Sequence, residues 1–480
     1  MKRYNIIYST FSRGLFSWPY LLTLVMCLAP LFSHGQMESS KNDKPNVIMV
    51  FIDDMGYGDL SAYGNCDIAT PNMDRIGQEG VTLRRFYVGS PICSPSRVTL
   101  MTGQYPSRFN ITSFLASRES NEKRGMANYL DDKVLTIADH FKAEGYSTAH
   151  FGKWHMGGGR DVGEAPLPAA YGFDESLVSF EGLGDRLLDK DHGLSKQSAE
   201  LGRGEIRWVE KHEKTPIYVD RTLEFIERNK DKPFYINLWP NDVHDPFHPK
   251  EDHLSLFPNY ANNHYIQEYL AVIYQLDQEI GRLLKGLEEM EELDNTLIIL
   301  TSDNGPTDWG YYYKENYQPP GDAGPFRGRK WSLYEGGIRV PFMARWPEHI
   351  SSGKVMESTV HATDLLPTLV NLLNLSRPET SLDGEDRSQV LLGTESDRSE
   401  PIYWEYGSPH DISPGNPRFR SPRLAILQGS YKLLLNDDST QVELYDVSKD
   451  IAETQNIANN HPELVEKLSA KLLRWKRDLP

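Results

Sequence analysis

Cysteine is scarce in this chain, an excess of positive charge is missing, and beyond the first few dozen residues so is any long hydrophobic run. The 480 residues hold three cysteines, Cys27, Cys66 and Cys93. Cys27 falls in a segment read below as removable, which leaves two thiols and at most one disulfide. The fold must therefore rest on a buried core rather than on cross-links. Lys and Arg number 51 against 68 Asp and Glu, a formal charge of −17. A nucleic acid or an anionic membrane surface needs a basic face, so neither is an expected partner. An anionic small substrate fits this balance only where cations or a metal ion are gathered locally. No repeat at solenoid periods and no low-complexity tract is present, so the pattern to read is that of strands and helices.

Acids are also missing from the start of the chain, where none precedes Glu38. Lys2, Arg3 and Arg13 lead into the apolar stretch containing "WPYLLTLVMCLAPLF", and small residues follow near "SHGQ". This order reads as a secretory signal peptide over residues 1–36, so the expected location is periplasmic or secreted. A membrane anchor is the competing reading. Pro19 and Pro30 interrupt the run, and it is short for a spanning helix, so no stable membrane insertion is expected after cleavage. Cys27 lacks the small-residue context of a lipoprotein box. With 39% hydrophobic and 25% charged residues, the rest has the composition of a soluble globular protein with a large core.

What is present is an alternation. "NVIMVFI" (Asn46–Ile52) is a short branched apolar run of the kind that forms a buried strand. "VLTIADHFKAEG" has helical spacing and ends in glycine, and "YSTAHFG" follows as a strand. "RTLEFIERN" then "PFYINLW", and an amphipathic segment over 265–290 then "TLIILTS", repeat the cycle. The expectation is an α/β fold with a mainly parallel central sheet flanked by helices over residues 37–393. After Gly393, "PIYWEYG", "RLAILQGSYKLLLN" and "QVELYDVSKD" read as short strands and "PELVEKLSAKLLRWKRD" as a closing helix. Residues 394–480 are thus expected to form a smaller antiparallel sheet plus a helix.

Each strand of the first part is followed by chemistry. Asp53 and Asp54 come after Ile52, "KWH" after Gly152, "PNDVH" after Trp239, and Asp303 and Asn304 after Ser302. Open α/β sheets bind ligands beyond the carboxyl ends of their strands, so these groups are candidates to converge. Asp53, Asp54, Asp303 and Asn304 offer only hard oxygen ligands, which suit Ca²⁺ or Mg²⁺. Turn formation is the local alternative for each pair. Lys153, His155, His244 and Lys330 add cations and proton carriers, and Lys153 and His155, two apart, would share one side of an extended segment. In "SPICSPSRVTLMTGQYPSR", Pro95 suits a first helical turn, Ser94 a cap, and Cys93 a helix N-terminus with Arg97 one turn on. At face value this is an activated thiol beside an anion site.

Cys93-Ser94-Pro95-Ser96-Arg97, followed by Thr102-Gly103, resembles the C-x-P-S-R…T-G signature of the type I sulfatases. "DDMGYGDLSAYG", "TPNMDRI", "GKWHMG", "TSDNGP" and "GRKWSLYEGGIRVPF" resemble segments of that family in the same order, so the likeness spans nearly the whole mature chain. It implies an alkaline-phosphatase-like fold and hydrolysis of sulfate esters. It also implies oxidation of Cys93 to formylglycine (3-oxoalanine) by a formylglycine-generating maturation enzyme. It further implies one Ca²⁺ held by Asp53, Asp54, Asp303, Asn304 and the modified residue 93. Arg97 and Lys153 would then stabilise the hydrated aldehyde, His155 would bond its second hydroxyl, and His244 and Lys330 would contact the sulfate and the leaving oxygen. One hydroxyl of the hydrate would attack sulfur with His244 protonating the leaving oxygen. The other, deprotonated by His155, would expel sulfate. Gln104 departs from the arginine that many members carry after Thr-Gly; it lies outside the five-residue motif, and no loss of activity is expected from it.

Formylglycine-dependent phosphonate or phosphodiester hydrolases are the nearest rival, and an inactive homologue that binds sulfated glycans without turnover is another. The expected substrate is a sulfated polysaccharide or oligosaccharide, either algal or a glycosaminoglycan. Loops offering sugar contacts are "DHGLSKQ" with His192, "DWGYYYKENY" with Trp309, and "SPHDISPGNPRFRSPR" with His410 and Arg418. Solvated loops are the plain alternative for each.

Overall fold

Along β1 (Asn46–Ile52) every residue is buried, and its side chains divide between two cores. Val47, Met49 and Phe51 enter one hydrophobic cluster and Ile48, Val50 and Ile52 the other. A strand with period-two side chains can do this only as the centre of a sheet covered on both faces. The computed structural model describes residues 44–190, 192–314 and 317–480, so the segment read as a signal peptide lies outside the described residues. Among the described residues no helix is long and apolar enough to cross a membrane.

The large sheet also contains β2 (Val81–Tyr87), β3 (Ser147–Lys153), β4 (Glu175–Ser179), β5 (Arg186–Asp189), β6 (Ile206–Val209), β7 (Phe234–Trp239), β8 (Thr296–Ser302), β9 (Arg339–Arg345), β10 (Lys354–Met356) and β11 (Val360–His361). Their order is β10-β2-β9-β8-β1-β7-β3-β4-β5-β6, with β11 continuing beside β2. Every pairing is parallel except those of β9, which runs antiparallel to both β2 and β8. From β1 the chain goes to β2 on one side and then to β3 on the other, so β1 stands at the switch point where ligand clefts form.

The Lys214–Arg228 and His264–Glu289 helices cover one face. In the longer one Ile273, Leu276, Ile280, Leu283, Leu284 and Leu287 recur at helical spacing and are buried. Each such side chain contributes about 1.5–3 kcal/mol of burial.

β12 (Ile402–Glu405), β13 (Leu424–Gln428), β14 (Tyr431–Leu435) and β15 (Glu443–Asp446) form the small antiparallel sheet. Its two faces are also both covered. Leu424, Ile426, Leu433, Leu435 and Leu444 pack with Leu468 and Leu472 of the Pro462–Arg477 helix, while Ala425, Leu427 and Leu434 join the main core.

The α/β expectation therefore holds, with strands that the sequence pattern concealed. β9 contains Pro341, which counts against a central strand, yet it lies between β2 and β8. Its register with β2 shifts between Leu83 and Phe86, so Arg84 and Arg85 oppose the single Pro341 in a β-bulge that does not need its missing N–H. Cys66 is exposed and Cys93 buried, both as free thiols.

Candidate active site

The polar groups that follow the parallel strands meet at one edge of the sheet. β1 delivers Asp53 and Asp54, β8 delivers Asp303 and Asn304, and β3 ends on Lys153. Because β9 is antiparallel, the segment leading into it reaches the same edge and brings Lys330. Arg97 comes from the Cys93–Thr102 helix and His244 from the turn after β7. Asp53, Asp54, Arg97, Lys153, Asp303, Asn304 and Lys330 are all at least 96% buried.

Three cations answer three carboxylates. Lys153 Nζ donates to both oxygens of Asp53 at 2.8 and 2.7 Å, and Lys330 Nζ to both oxygens of Asp54 at 2.6 and 2.7 Å. Arg97 donates to Asp303 Oδ2 at 2.6 Å and to the Lys153 carbonyl at 3.1 Å. Burial works to raise Asp53, but Lys153 and Arg97 outweigh it and hold the carboxyl well below its usual range. Burial and the neighbouring Asp53 push Asp303 up to about 7. Burial opposes the charge on Lys330 as well, yet Asp54 holds its ammonium firmly protonated.

One acceptor of this cluster has no partner. Asn304 Nδ2 donates to Asp54 Oδ1 at 2.7 Å and to the Gly305 carbonyl at 2.8 Å, which fixes the amide orientation. Its Oδ1 is then buried without a hydrogen bond. An orphaned acceptor among carboxylates is expensive unless a cation takes it. Ligand atoms of Asp53, Cys93 and Asp303 lie within 4.8 Å of one another, as do those of Asp53, Asp54 and His244. The predicted oxygen set thus fits a hard divalent ion.

Cys93 is the first residue of its helix, as the sequence predicts, but Ser94 does not cap it. Ile92 is the N-cap, and Ser94 Oγ instead accepts the Leu115 N–H at 2.9 Å. The reading of an activated thiol is also corrected. Cys93 is 2% exposed, and burial pushes its thiol up, against the pull of Lys153 and Lys330. As a cysteine it is a poor nucleophile here.

Lys153 and His155 do not share an extended segment. The strand stops at Lys153, and His155 has a left-handed backbone with φ +50. That turn points Nε2 at the Leu115 carbonyl, 3.2 Å away, so Nε2 carries the hydrogen and the buried Nδ1 is a free lone pair. Gly152, with φ +133, is needed just before, because a Cβ there would lie 2.1 Å from the Trp239 carbonyl oxygen. In His244, Nδ1 donates to the Asp245 carbonyl at 2.6 Å and Nε2 lies 3.7 Å from Asp54. Burial, then Lys330, lower its pKa to about 3, so in the free chain this imidazole does not change charge near neutral pH.

A cleft of about 340 Å³ opens over these groups, lined by Cys93, His155, His244, Lys330 and a wall that includes Phe114, Phe180, Trp309, Trp331 and Ile412. Of the suggested sugar contacts, His192 and Trp309 line it; His410 and Arg418 do not, and Ile412 of the same loop does. Sequence reasoning missed Phe180. Its ring lies 5.0 Å from Lys153 Nζ and 4.9 Å from the His155 ring, on a backbone with φ +46. Nothing in "VSFEG" marks it, since a left-handed aromatic residue is a product of the tertiary contacts.

A family model described as Sulfatase matches residues 45–375, and one described as N-sulphoglucosamine sulphohydrolase, C-terminal, matches residues 321–478. The chain is 30% identical to an N-acetylgalactosamine-6-O-sulfatase of Bacteroides thetaiotaomicron, over 91% of this chain and 94% of that protein. It is 28% identical to human arylsulfatase A, over 90% and 88%. Among solved structures it superposes on Ps i-CgsB in complex with k-i-k-neocarrahexaose with a TM-score of 0.74 at 27% identity, covering 91% of this chain and 94% of that one.

Proposed function

The chain belongs to the sulfatase family and is a sulfuric ester hydrolase acting on sulfated glycans, and from that premise we propose that it desulfates a glycosaminoglycan or an algal polysaccharide, or oligosaccharides of either, through a formylglycine made from Cys93. The observation that carries this reading is Cys93 itself. It is a buried, poorly ionised thiol on the floor of the cleft, beside Asp53 and Asp303. A thiol there is useless as it stands, whereas a formylglycine at that position supplies a hydrate with two hydroxyls, one to attack sulfur and one to release it.

Asp53, Asp54, Asp303 and Asn304 would hold Ca²⁺, which supplies charge stabilisation at the sulfate oxygens. Lys153 and Lys330, now bonded to Asp53 and Asp54, are the cations that would face a bound anion. Arg97 and Lys153 orient the group at position 93. His155 Nδ1, its lone pair free, accepts the proton from the second hydroxyl. Lys330 and His244 face the ester. An anionic sulfate beside His244 raises the proton affinity that burial and Lys330 withhold from it, so the bound substrate equips it to protonate the leaving oxygen. The named substrates of the relatives support a sulfated sugar as the leaving group, and the aromatic wall of the cleft supports it further. Export by the leader at 1–36, a catalytic domain over 37–393 and a subdomain over 394–480 complete the reading.

The test is to produce the protein with and without a formylglycine-generating enzyme. The peptide containing residue 93 should lose mass relative to its cysteine form only in the first case, and sulfate release from sulfated oligosaccharides should follow it. An active protein with unmodified Cys93 would overturn the proposal. Turnover of aryl phosphate esters in preference to any sulfate would favour the rival hydrolase.

A further inference from the structure

The loop between β12 and β13 enters the cleft through Ile412, and it is fastened by the Gly407 N–H, which donates to the Thr112 carbonyl at 2.9 Å, and by a buried ion pair. Arg124 and Asp411 meet at 2.9 Å with each side chain 3% exposed. Arg124 comes from the segment just after the short Arg118–Lys123 helix, and its hydrogen bonds go to Ser120, Asn121 and Asp411, outside the reaction centre. Its remaining nitrogens donate to the Ser120 carbonyl and to Asn121 Oδ1 at 3.0 and 2.9 Å, so the guanidinium is held rigidly. Its Cζ lies 4.5 Å from the centre of the Phe114 ring, which lines the cleft together with Ile412. On the other side, Asp411 Oδ2 accepts the Ser408 N–H at 2.6 Å, closing a tight turn that begins at Gly407. Tyr406 donates to the Ile412 carbonyl at 2.7 Å, and Asp308, beside Trp309, accepts the Asn416 N–H at 3.1 Å.

We propose that the Arg124–Asp411 pair is a positioning device for substrate selection: it sets Ile412 against Phe114 as the outer wall of the cleft, where the sugar carrying the sulfate is gripped. Three features support this. The pair is one of few fully desolvated ion pairs away from the reaction centre, and breaking such a pair strands a buried charge. The same guanidinium lies against Phe114 and holds the turn that carries Ile412, so it supports two residues that line the cleft. Among the described residues, Asp53, Asp54, Arg97, Lys153, Asp303 and Lys330 are held by bonds within their own network, so the chemistry itself does not require the latch. A small leaving group needs only the centre. A sugar also needs the wall.

This inference rests on the sulfated-glycan reading of the cleft, and its test separates the two. The matured holoenzyme is compared with its Asp411→Asn, Arg124→Gln and Ile412→Trp variants on two kinds of probe. One is 4-nitrophenyl sulfate. The others are an oligosaccharide sulfated on N-acetylgalactosamine and a carrageenan-type hexasaccharide. Expected is a rise in KM for the glycan of about tenfold or more in each variant with kcat nearly kept, and 4-nitrophenyl sulfate kinetics unchanged in Asp411→Asn and Arg124→Gln, which do not alter a residue lining the cleft. The double variant of Arg124 and Asp411 should be no worse than either single one. Ile412→Trp fills the cleft without touching the ion pair, so it reports on the wall even where the charge variants fold poorly. Equal losses on both kinds of probe, or no change on the glycan, overturn the inference. A wild-type enzyme that releases sulfate from neither glycan overturns the reading beneath it instead.

Discussion

Two buried clusters of charge occupy this molecule. At the strand ends, three carboxylates face Arg97, Lys153 and Lys330. Where the small sheet meets the large one, Glu335 and Glu453 face Lys432 and Arg339. Lys432, Glu335 and Glu453 are wholly inaccessible, with Lys432 Nζ 2.9 Å from Glu335 and 3.0 Å from Glu453. Tyr87 donates to Glu335 at 2.7 Å, and Glu453 accepts the Glu335 N–H at 2.7 Å. Both clusters balance their charges, so balance does not mark a site. The first cluster borders a 340 Å³ cleft and leaves Asn304 Oδ1 without a partner, whereas no member of the second lines that cleft. One is arranged to receive something; the other joins β14 to the helix turn before β9.

Substitutions in the two clusters should therefore fail in different ways. The largest effect is expected from Asp303→Ala, which removes an oxygen ligand and the partner of Arg97. Sulfate release should fall by roughly a thousandfold, and chelation of the wild type should have the same sense. Full activity in that variant would remove the metal assignment.

Next comes Lys432→Met, which strands the buried Glu453 and leaves Glu335 with Arg339 and Tyr87 alone. Unfolding free energy should drop by about 3–5 kcal/mol in denaturant titrations. The activity of the remaining folded fraction should be unchanged, and a matching loss of kcat would erase the distinction between the clusters.

A smaller effect concerns pH. Burial pushes Glu453 up to about 7, with Glu335 competing for the same Lys432. The folded chain then keeps a proton that the unfolded chain gives up, so this residue's contribution to stability falls as pH rises from its unfolded value, about 4.5, to about 7. Glu453→Gln should flatten that part of the profile of melting temperature against pH; an unaltered slope would assign it elsewhere. The smallest effect is expected at Cys66, whose exposed thiol lies 3.4 Å from the Gly64 carbonyl. Cys66→Ser should leave both melting and sulfate release unchanged.

Much of the first cluster was legible in the chain because Asp53, Asp54, Lys153, Asp303 and Asn304 sit at the ends of strongly apolar strands. "NVIMVFI" and "TLIILTS" announce their ends, and a parallel sheet brings equivalent ends together. The second cluster was invisible. Lys432 lies inside "SYKLLLN", where a lysine in an alternating strand reads as solvent-facing, and only the covering of both faces of the small sheet buries it. Phe180 and Ile412 were hidden for a related reason, since each reaches the cleft through a turn whose direction depends on distant partners.

By itself, the sequence determined the local periods and the residue types at the strand ends. From these follow the mainly parallel sheet, the oxygen-rich ligand set, and the five-residue motif around Cys93 with its resemblance. Tertiary structure decided the state of those groups. Burial, which no local pattern encodes, raises the thiol of Cys93, lowers His244 and leaves one oxygen of Asn304 unsatisfied. It also decided the walls. Arg124 and Asp411 are 287 residues apart, and an ion pair between them exists only once two separate sheets have packed.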